Sequence, residues 1–483
     1  MAAPIMPQKM EADGRGYVTD VPYIRTFIPS VAPAVLDHVA VVRGFTPPSQ
    51  ESAFTYCDLG CGQGVTAAIL AATHPQGTFH GVDFMVGHIE HARRFCDEAE
   101  IGNATFHHTD FRTAAEAGLP QFDYVVCHGV YAWVNAEVQS DIVRFVDMHL
   151  KPGGLAYISY NAMPGWATDL PFQYLVRALG QTLPGDSKQR ITAGVEMIRG
   201  MTAAKVPALT QSFMAKHLES GATKLSPFYL AHEFMNGDWR PLFVTEVREA
   251  MARIGLLPVG SASLMSNFDS FVLGAKAREM LASIADENVR ELVRDYFIDQ
   301  RFRRDVFIRD GRKITRDEQR VRLLASSFSL AKPATEVEFT KPTPAGSLRF
   351  DNEAARGIVT ALGDGPRRLA EIAAACGLDA QDVVANALTL CAAGIVVPVG
   401  EHPASVVKLN RAIFARRNES EPINVLALPC GTALHIAGPL WKALQDGEHG
   451  EAVGAADQGA AEESKEKQID VAAWKAFLVA QGV

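Results

Sequence analysis

Between positions 54 and 161 short apolar runs alternate with stretches of helical periodicity. The runs are Phe54–Leu59, 77–82, 104–107, 124–127 and 155–160. Strands that alternate with helices predict βαβ units, and so an α/β unit with a parallel sheet covered on both faces. Upstream, apolar residues recur at helical spacing over 31–42, after Thr19-Asp20-Val21-Pro22-Tyr23, which mixes turn residues with an exposed type of aromatic. We assign 1–50 to an N-terminal extension and 51–165 to the α/β unit.

Beyond 165 the pattern is mainly helical, with Pro and Gly interruptions, and predicts a middle domain over 166–275. Residues 276–345 read as a charged helical connector with a dense arginine run over 301–322. Residues 354–400 follow the rhythm helix, turn, helix, turn, helix, strand, with breaks at Gly363-Asp364-Gly365-Pro366 and Gly377-Leu378-Asp379. That predicts a winged-helix-like C-terminal domain over 346–444. Residues 445–468 hold much Ala, Gly and Glu and few large apolar side chains, which predicts a flexible linker. Trp474, Phe477 and Leu478 mark a terminal helix, so 445–483 is a linker plus helix.

Composition narrows the function classes. The chain has 483 residues, 55 acidic and 46 basic side chains, and a formal charge of −9. This balance counts against a nucleic-acid or anionic-membrane partner, which a basic surface attracts. The third helix of the winged-helix-like unit, near 380–393, has no Lys or Arg and carries Asp382. We therefore expect that unit to bind protein, a second copy included, rather than DNA. Seven cysteines without paired spacing predict no disulfide scaffold and a reducing compartment. The N-terminal stretch has no signal-peptide core, and the uncharged run 383–400 reads as a helix followed by a strand rather than a membrane span. The expected location is the cytoplasm.

The sharpest motif is Asp58-Leu59-Gly60-Cys61-Gly62-Gln63-Gly64, directly after the first strand and before a helix. Alternating glycines let the backbone turn tightly and let a ligand come close. A dinucleotide fingerprint would place its third glycine at position 65, where this chain has Val65. Asp58, just before the loop, suits a ligand with an ammonium or sulfonium group better than a pyrophosphate. Asp83, at the end of the second strand, can accept from two ribose hydroxyls. Asp110 can accept from an adenine amino group, and Phe111 can cover the ring. Phe84 and His128 are further candidate cofactor contacts, and no metal set is expected.

Taken in order, these motifs resemble the class I S-adenosylmethionine-dependent methyltransferases. The resemblance implies a Rossmann-like sheet and S-adenosylmethionine as cofactor. It also implies that the loop at Asp58, Gly60, Gly62 and Gly64 takes the methionine part, Asp83 the ribose, and Asp110 with Phe111 the adenine. Four further stretches resemble bacterial methyltransferases that carry a regulatory domain, a group that includes the rickettsial protein-lysine methyltransferases. They are 17–23, 128–133, 160–166 and Tyr229-Leu230-Ala231-His232-Glu233-Phe234-Met235-Asn236-Gly237-Asp238-Trp239. This implies a polypeptide lysine as acceptor. A small-molecule N- or O-methyltransferase and a non-catalytic cofactor sensor are the alternatives.

The acceptor side of such a sheet follows the fourth and fifth strands. Tyr131, Trp133, Tyr160 and Trp166 either line a channel for a cationic side chain or pack as ordinary half-buried aromatics. His128 either accepts a proton or caps the strand. Asn161 joins the catalytic candidates; it lies outside any N-P-P-aromatic motif, which counts against a nucleic-acid base as acceptor. No sequence rule gives His232, Glu233 or Trp239 a role. His88 and His91 are expected on a helix surface, and the arginines of 301–322 on a solvated, internally paired face.

Overall fold

The apolar runs become strands of one sheet: β1 Phe54–Leu59, β2 Gly77–Asp83, β3 Ala104–His108, β4 Phe122–Cys127 and β5 Leu150–Asn161. The computed structural model describes residues 17–50, 52–220, 226–400, 404–417, 419, 422–436, 440–441 and 470–483. Two more strands, β6 Leu256–Ser261 and β7 Phe302–Arg309, complete a seven-stranded sheet of order β3-β2-β1-β4-β5-β7-β6. β1 to β5 pair in parallel, and β7 runs antiparallel to both β5 and β6. Side chains alternate between two cores. Tyr124 and Val126 enter one; Val125 and Cys127 enter the other.

β6 and β7 correct the sequence reading, which ended the α/β unit at 165 and made the arginine run helical. In β7, Val306 and Ile308 face one core and Phe307 the other, while Arg303 and Asp305 are buried as well. Arg303 bonds Asp305, Asp295 (2.5 Å) and Glu291 (2.8 Å), so its charge is matched where it is buried. Only Arg316–Ala325 of that run is a helix. The N-terminal extension is also corrected: helix Pro33–Val42 places Leu36, Val39 and Ala40 in the core that backs the sheet.

The segment between β5 and β6 forms a helical layer with its own core. Helices Leu170–Gln181, Ser187–Ala203, Phe213–Ser220 and Pro227–Phe234 bury Phe172, Val176, Ile191, Ile198 and Phe234 together with Val18 and Val21. Toward the C-terminus, helices Glu353–Gly363, Leu369–Cys376 and Ala380–Ala392 pack on a three-stranded antiparallel sheet of Ser327–Leu330, Arg367–Arg368 and Val396–Val399. A hairpin, Val425–Leu428 with Thr432–His435, joins this unit to the main sheet. Its Val425 and Ala427 face the sheet's core, and its Leu426 and Leu428 the C-terminal core. Helix Val471–Ala480 returns to the same core through Trp474, Phe477 and Leu478. The linker expected at 445–468 lies outside the described residues. Among the described residues no helix is long and apolar enough to cross a membrane.

The buried titratable groups fix how stability responds to acid. Burial pushes the pKa down at His38, His74, His80, His91, His107, His128, His232 and His435. Burial lifts four carboxyls, Asp37, Asp58, Glu233 and Asp295, to about 7. The histidine contribution is complete above the unfolded value of about 6.5 and is lost as pH falls toward the folded values. The carboxyl contribution has the opposite sign, because the folded chain holds those protons between about pH 4 and about pH 7. The histidines are more numerous, so we expect the denaturant midpoint to fall between about pH 6.5 and about pH 4.5. A midpoint that rises over that window would contradict this balance.

Candidate functional site

β1 ends at the glycine loop, and helix Val65–Thr73 begins directly after it. Gly60, Gly62 and Gly64 all have positive φ, at 75°, 52° and 75°. They meet different surroundings. A Cβ on Gly60 would lie 2.5 Å from Val130, and one on Gly64 would lie 2.3 Å from Ala92. A Cβ on Gly62 would meet nothing nearer than Tyr23 Cδ1 at 3.9 Å. Two glycines therefore fit the loop to its neighbours, and the third leaves the space above it open.

Asp83 closes the loop from the second strand. Its carboxylate accepts from Gly62 N (3.0 Å) and Met85 N (2.8 Å) and lies 3.2 Å from His88 Nδ1. A carboxylate offers about four acceptor positions, so about one stays available to a ligand. Asp58 is buried beneath the same loop. Burial, then the charge of Asp83, lifts its carboxyl to about 7. Asp110 caps helix Phe111–Glu116 by accepting from Thr113 N (2.8 Å), and the half-buried Phe111 ring approaches Gly60. Phe84 lies edge-on to Tyr17 at 5.7 Å.

His88 and His91 are not surface residues. Both are buried on helix Val86–Glu98, where His88 meets Asp83 and takes the Tyr23 N–H at 3.1 Å, and His91 Nδ1 lies 2.8 Å from the Gln63 carbonyl. They brace the loop from behind. The signal was present in the sequence: His88, His91, Ala92 and Phe95 fall at i, i+3, i+4 and i+7, one helical stripe.

The segment 17–28 forms a strap across this site. Arg25 Nε donates to Gln63 Oε1 (2.9 Å), the Gln63 amide donates to the Tyr23 carbonyl, and Thr66 Oγ1 accepts from Ile28 N (3.1 Å). Val18 N donates to Asn236 Oδ1 (2.8 Å), and the Val21 carbonyl meets His232 Nε2 at 3.0 Å. The strap thus ties the glycine loop to helix Pro227–Phe234. Glu233 on that helix is half-buried, and its surroundings are aromatic and polar. Burial first, with the charge of Glu233 adding to it, raises Tyr17 and Tyr23, and the same charge followed by burial raises Tyr229. The rings of Tyr17 and Tyr23 pack on the adjacent His232 at 5.5 Å and 5.2 Å. Burial lifts its carboxyl to about 7 against the opposing pull of Asn161, Tyr229 and Arg301.

The other acceptor candidates separate. Trp133 stacks on Trp239 (5.7 Å), and Trp166 meets Trp239 edge-on (5.1 Å), so the loops after β4 and β5 gather around a tryptophan with no assigned role in the sequence. Tyr131 is buried in the core that also holds Cys127, Ile142 and Phe145. Tyr160 does not join this group: it is 1% exposed and its hydroxyl donates to Asp305 Oδ2 at 2.7 Å. It points to the opposite sheet face from Ser159 and Asn161, as strand alternation requires. His128 Nδ1 lies 2.7 Å from the Tyr157 hydroxyl and 3.3 Å from Ser159 Oγ. Burial, then Arg304, pushes its pKa down to about 3, which makes it a poor holder of a proton at neutral pH.

Comparison with known proteins fits this layout. A family described as a methyltransferase domain matches residues 57–156, and one described as a predicted methyltransferase regulatory domain matches 226–309. An uncharacterised protein of Synechocystis sp. is 32% identical over 357 residues, covering 74% of this chain and 71% of that protein. An uncharacterised protein of Rickettsia prowazekii is 37% identical over 147 residues, covering 30% of this chain and 58% of that protein. The solved structure of PKMT2 from Rickettsia typhi in complex with AdoHcy superposes with a TM-score of 0.67 at 20% identity, covering 95% of this chain and 97% of the other, a likeness of fold. With the sheet order, the glycine loop and the two matched regions in place, the chain belongs to the class I S-adenosylmethionine-dependent methyltransferases that carry a methyltransferase regulatory domain.

Proposed function

We propose that this enzyme methylates lysine side chains of a polypeptide. The observation that carries the reading is the aromatic cluster where the strap meets helix Pro227–Phe234: the rings of Tyr17 and Tyr23 pack on His232 at 5.5 Å and 5.2 Å, beside the half-buried Glu233. Tyr17 also meets Phe84, and Tyr23 is the nearest side chain to the open space over Gly62, so the cluster borders the cofactor loop. A protonated amine is drawn both to a carboxylate and to aromatic faces. The stretches that build this cluster, 17–23 and 229–239, are among those that resemble the rickettsial protein-lysine methyltransferases.

The loop fits the cofactor. Gly62 leaves room above the backbone, and we assign Gly60, Gly62 and Gly64 to the methionine end, with Asp58 beneath them. Asp83 would hold the ribose, and Asp110 with Phe111 the adenine, with Phe84 and His128 at the margins of the site. When bound, S-adenosylmethionine supplies an electrophilic methyl group on a sulfonium. The chain's own part is to hold an acceptor amine in line with that methyl and to keep it unprotonated.

Two measurements check this. Asp83→Ala is expected to raise the cofactor Kd by about 10- to 100-fold, the worth of a charged hydrogen bond, with Asp83→Asn in between. An unchanged Kd in a folded variant would remove the ribose assignment. Purified enzyme incubated with radiolabelled cofactor and cell lysate is expected to label polypeptide bands on a denaturing gel. Label confined to the low-molecular-weight filtrate would point to a small-molecule acceptor, and cofactor binding without any transfer would point to a sensor.

A further inference from the structure

The regulatory region brings more than a wall to this site. We propose that Glu233 takes the proton of the acceptor ammonium and so acts as the enzyme's general base; this rests on the lysine reading above. The geometry comes first. Glu233 follows His232 on helix Pro227–Phe234, and the rings of Tyr17 and Tyr23 on the strap pack on that His232 at 5.5 Å and 5.2 Å. The charge of Glu233 reaches both tyrosines and Tyr229 one turn before it, and the charge of Arg301 ahead of β7 reaches Glu233. Tyr17 also couples to Asp83, and its ring packs against Phe84 and His232, so one side chain spans the cofactor loop and the regulatory helix. The Asn161 side-chain nitrogen, at the end of β5, is buried and has no hydrogen-bond partner among the described residues. A polar group left short of a partner in this place is a position that a substrate can complete.

The charges support the same choice. Burial raises Tyr17 and Tyr23, and the charge of Glu233 followed by burial raises Tyr229, so all three stay protonated donors. The carboxyl of Glu233 lies at about 7, the range in which a base works near neutral pH. His128, the other candidate, is engaged with Tyr157 and Ser159 and lies at about 3.

The step balances. The acceptor ammonium gives one proton to the Glu233 carboxylate. The freed nitrogen lone pair forms a bond to the methyl carbon as the carbon–sulfur bond breaks, and that electron pair stays on sulfur as a neutral thioether. The methylated ammonium carries the positive charge, and the proton on Glu233 passes to solvent.

The test uses the full-length enzyme, a lysine-bearing polypeptide it labels, and Glu233→Gln. The expected result is a kcat lower by about 100-fold at about pH 7.5, with the cofactor Kd by calorimetry unchanged within about threefold. The acid limb of the wild-type kcat profile, near pH 7, should disappear, and Glu233→Asp should recover part of the rate. Tyr229→Phe, which keeps the ring and removes a donor to the carboxylate, should move that limb to higher pH. In the cofactor-free enzyme, infrared difference spectra between about pH 5.5 and about pH 8.5 should lose one carboxyl band in Glu233→Gln. A Gln variant that methylates within about threefold of wild type with the same pH profile would overturn the assignment and leave the lysine reading standing. A wild-type enzyme that binds cofactor but labels no lysine would overturn both.

Discussion

Gly62→Arg is expected to abolish methyl transfer and to raise the cofactor Kd at least about 100-fold, which is about 2.7 kcal/mol, while the chain still folds. The fold survives because a Cβ at this position meets nothing within 3.9 Å. The cost of a non-glycine residue at φ 52° is about 1–2 kcal/mol, small against a typical stability of about 5–15 kcal/mol. On the proposed assignment of this loop to the methionine end of the cofactor, binding fails because the side chain fills the open space above Gly62 with a positive charge. Gly64→Ala, two residues on, should do the reverse. Its added Cβ would lie 2.3 Å from Ala92 and 2.8 Å from Phe106, so the helix or the strand must shift. We expect a stability loss of about 2–4 kcal/mol there, read as a lower denaturant midpoint. Calorimetry and denaturation on the pair separate the residue that leaves space from the residue that packs.

Arg303→Met is expected to be the most destabilising single change in the sheet, by about 3–5 kcal/mol. Arg303 bonds Asp305 through Nε (2.9 Å), Asp295 (2.5 Å) and Glu291 (2.8 Å) and is almost wholly buried. Burial raises the carboxyls of Glu291 and Asp295. Arg303, Arg248 and Arg294 outweigh it at Glu291 and hold that group at about 2, whereas Asp295 stays at about 7. Without the guanidinium, three carboxylates face one another in the interior. The deficit should shrink as pH falls below about 7, because the carboxyls freed of Arg303 then take up protons, and Asp295→Asn in the same chain should recover part of it. A stability within about 0.5 kcal/mol of wild type would show that the network contributes little.

What could be read from the sequence follows from which patterns carry the burial. The five parallel strands were legible because each is an apolar run closed by turn residues, and the loop because Asp58 near the end of β1 is followed by three alternating glycines. β7 was not, because Arg303 and Asp305 occupy buried positions and bury each other's charge, so a strand presents the composition of a charged helix. Helix Pro33–Val42 had the correct period, yet nothing local tells a docked helix from a free extension. Of the two readings of Tyr160, channel or packing, the sequence could not choose; strand alternation sends it to the face opposite Asn161, where it packs onto Asp305. Glu233 and Trp239 were visible as a motif without a role, since the residues that face them, Tyr17, Tyr23, Asn161 and Trp133, are distant in sequence and meet only through the strap and the end of β5.

The claim at the centre of this account is that the methyl group ends on lysine nitrogen, and one measurement addresses it directly. Polypeptide labelled by the wild-type enzyme with radioactive S-adenosylmethionine is hydrolysed to amino acids and separated, with Gly62→Arg as the blocked control. The label is expected to run with methylated lysine and to be missing from the control. Label on any other amino acid, or label in the control equal to wild type, would contradict it.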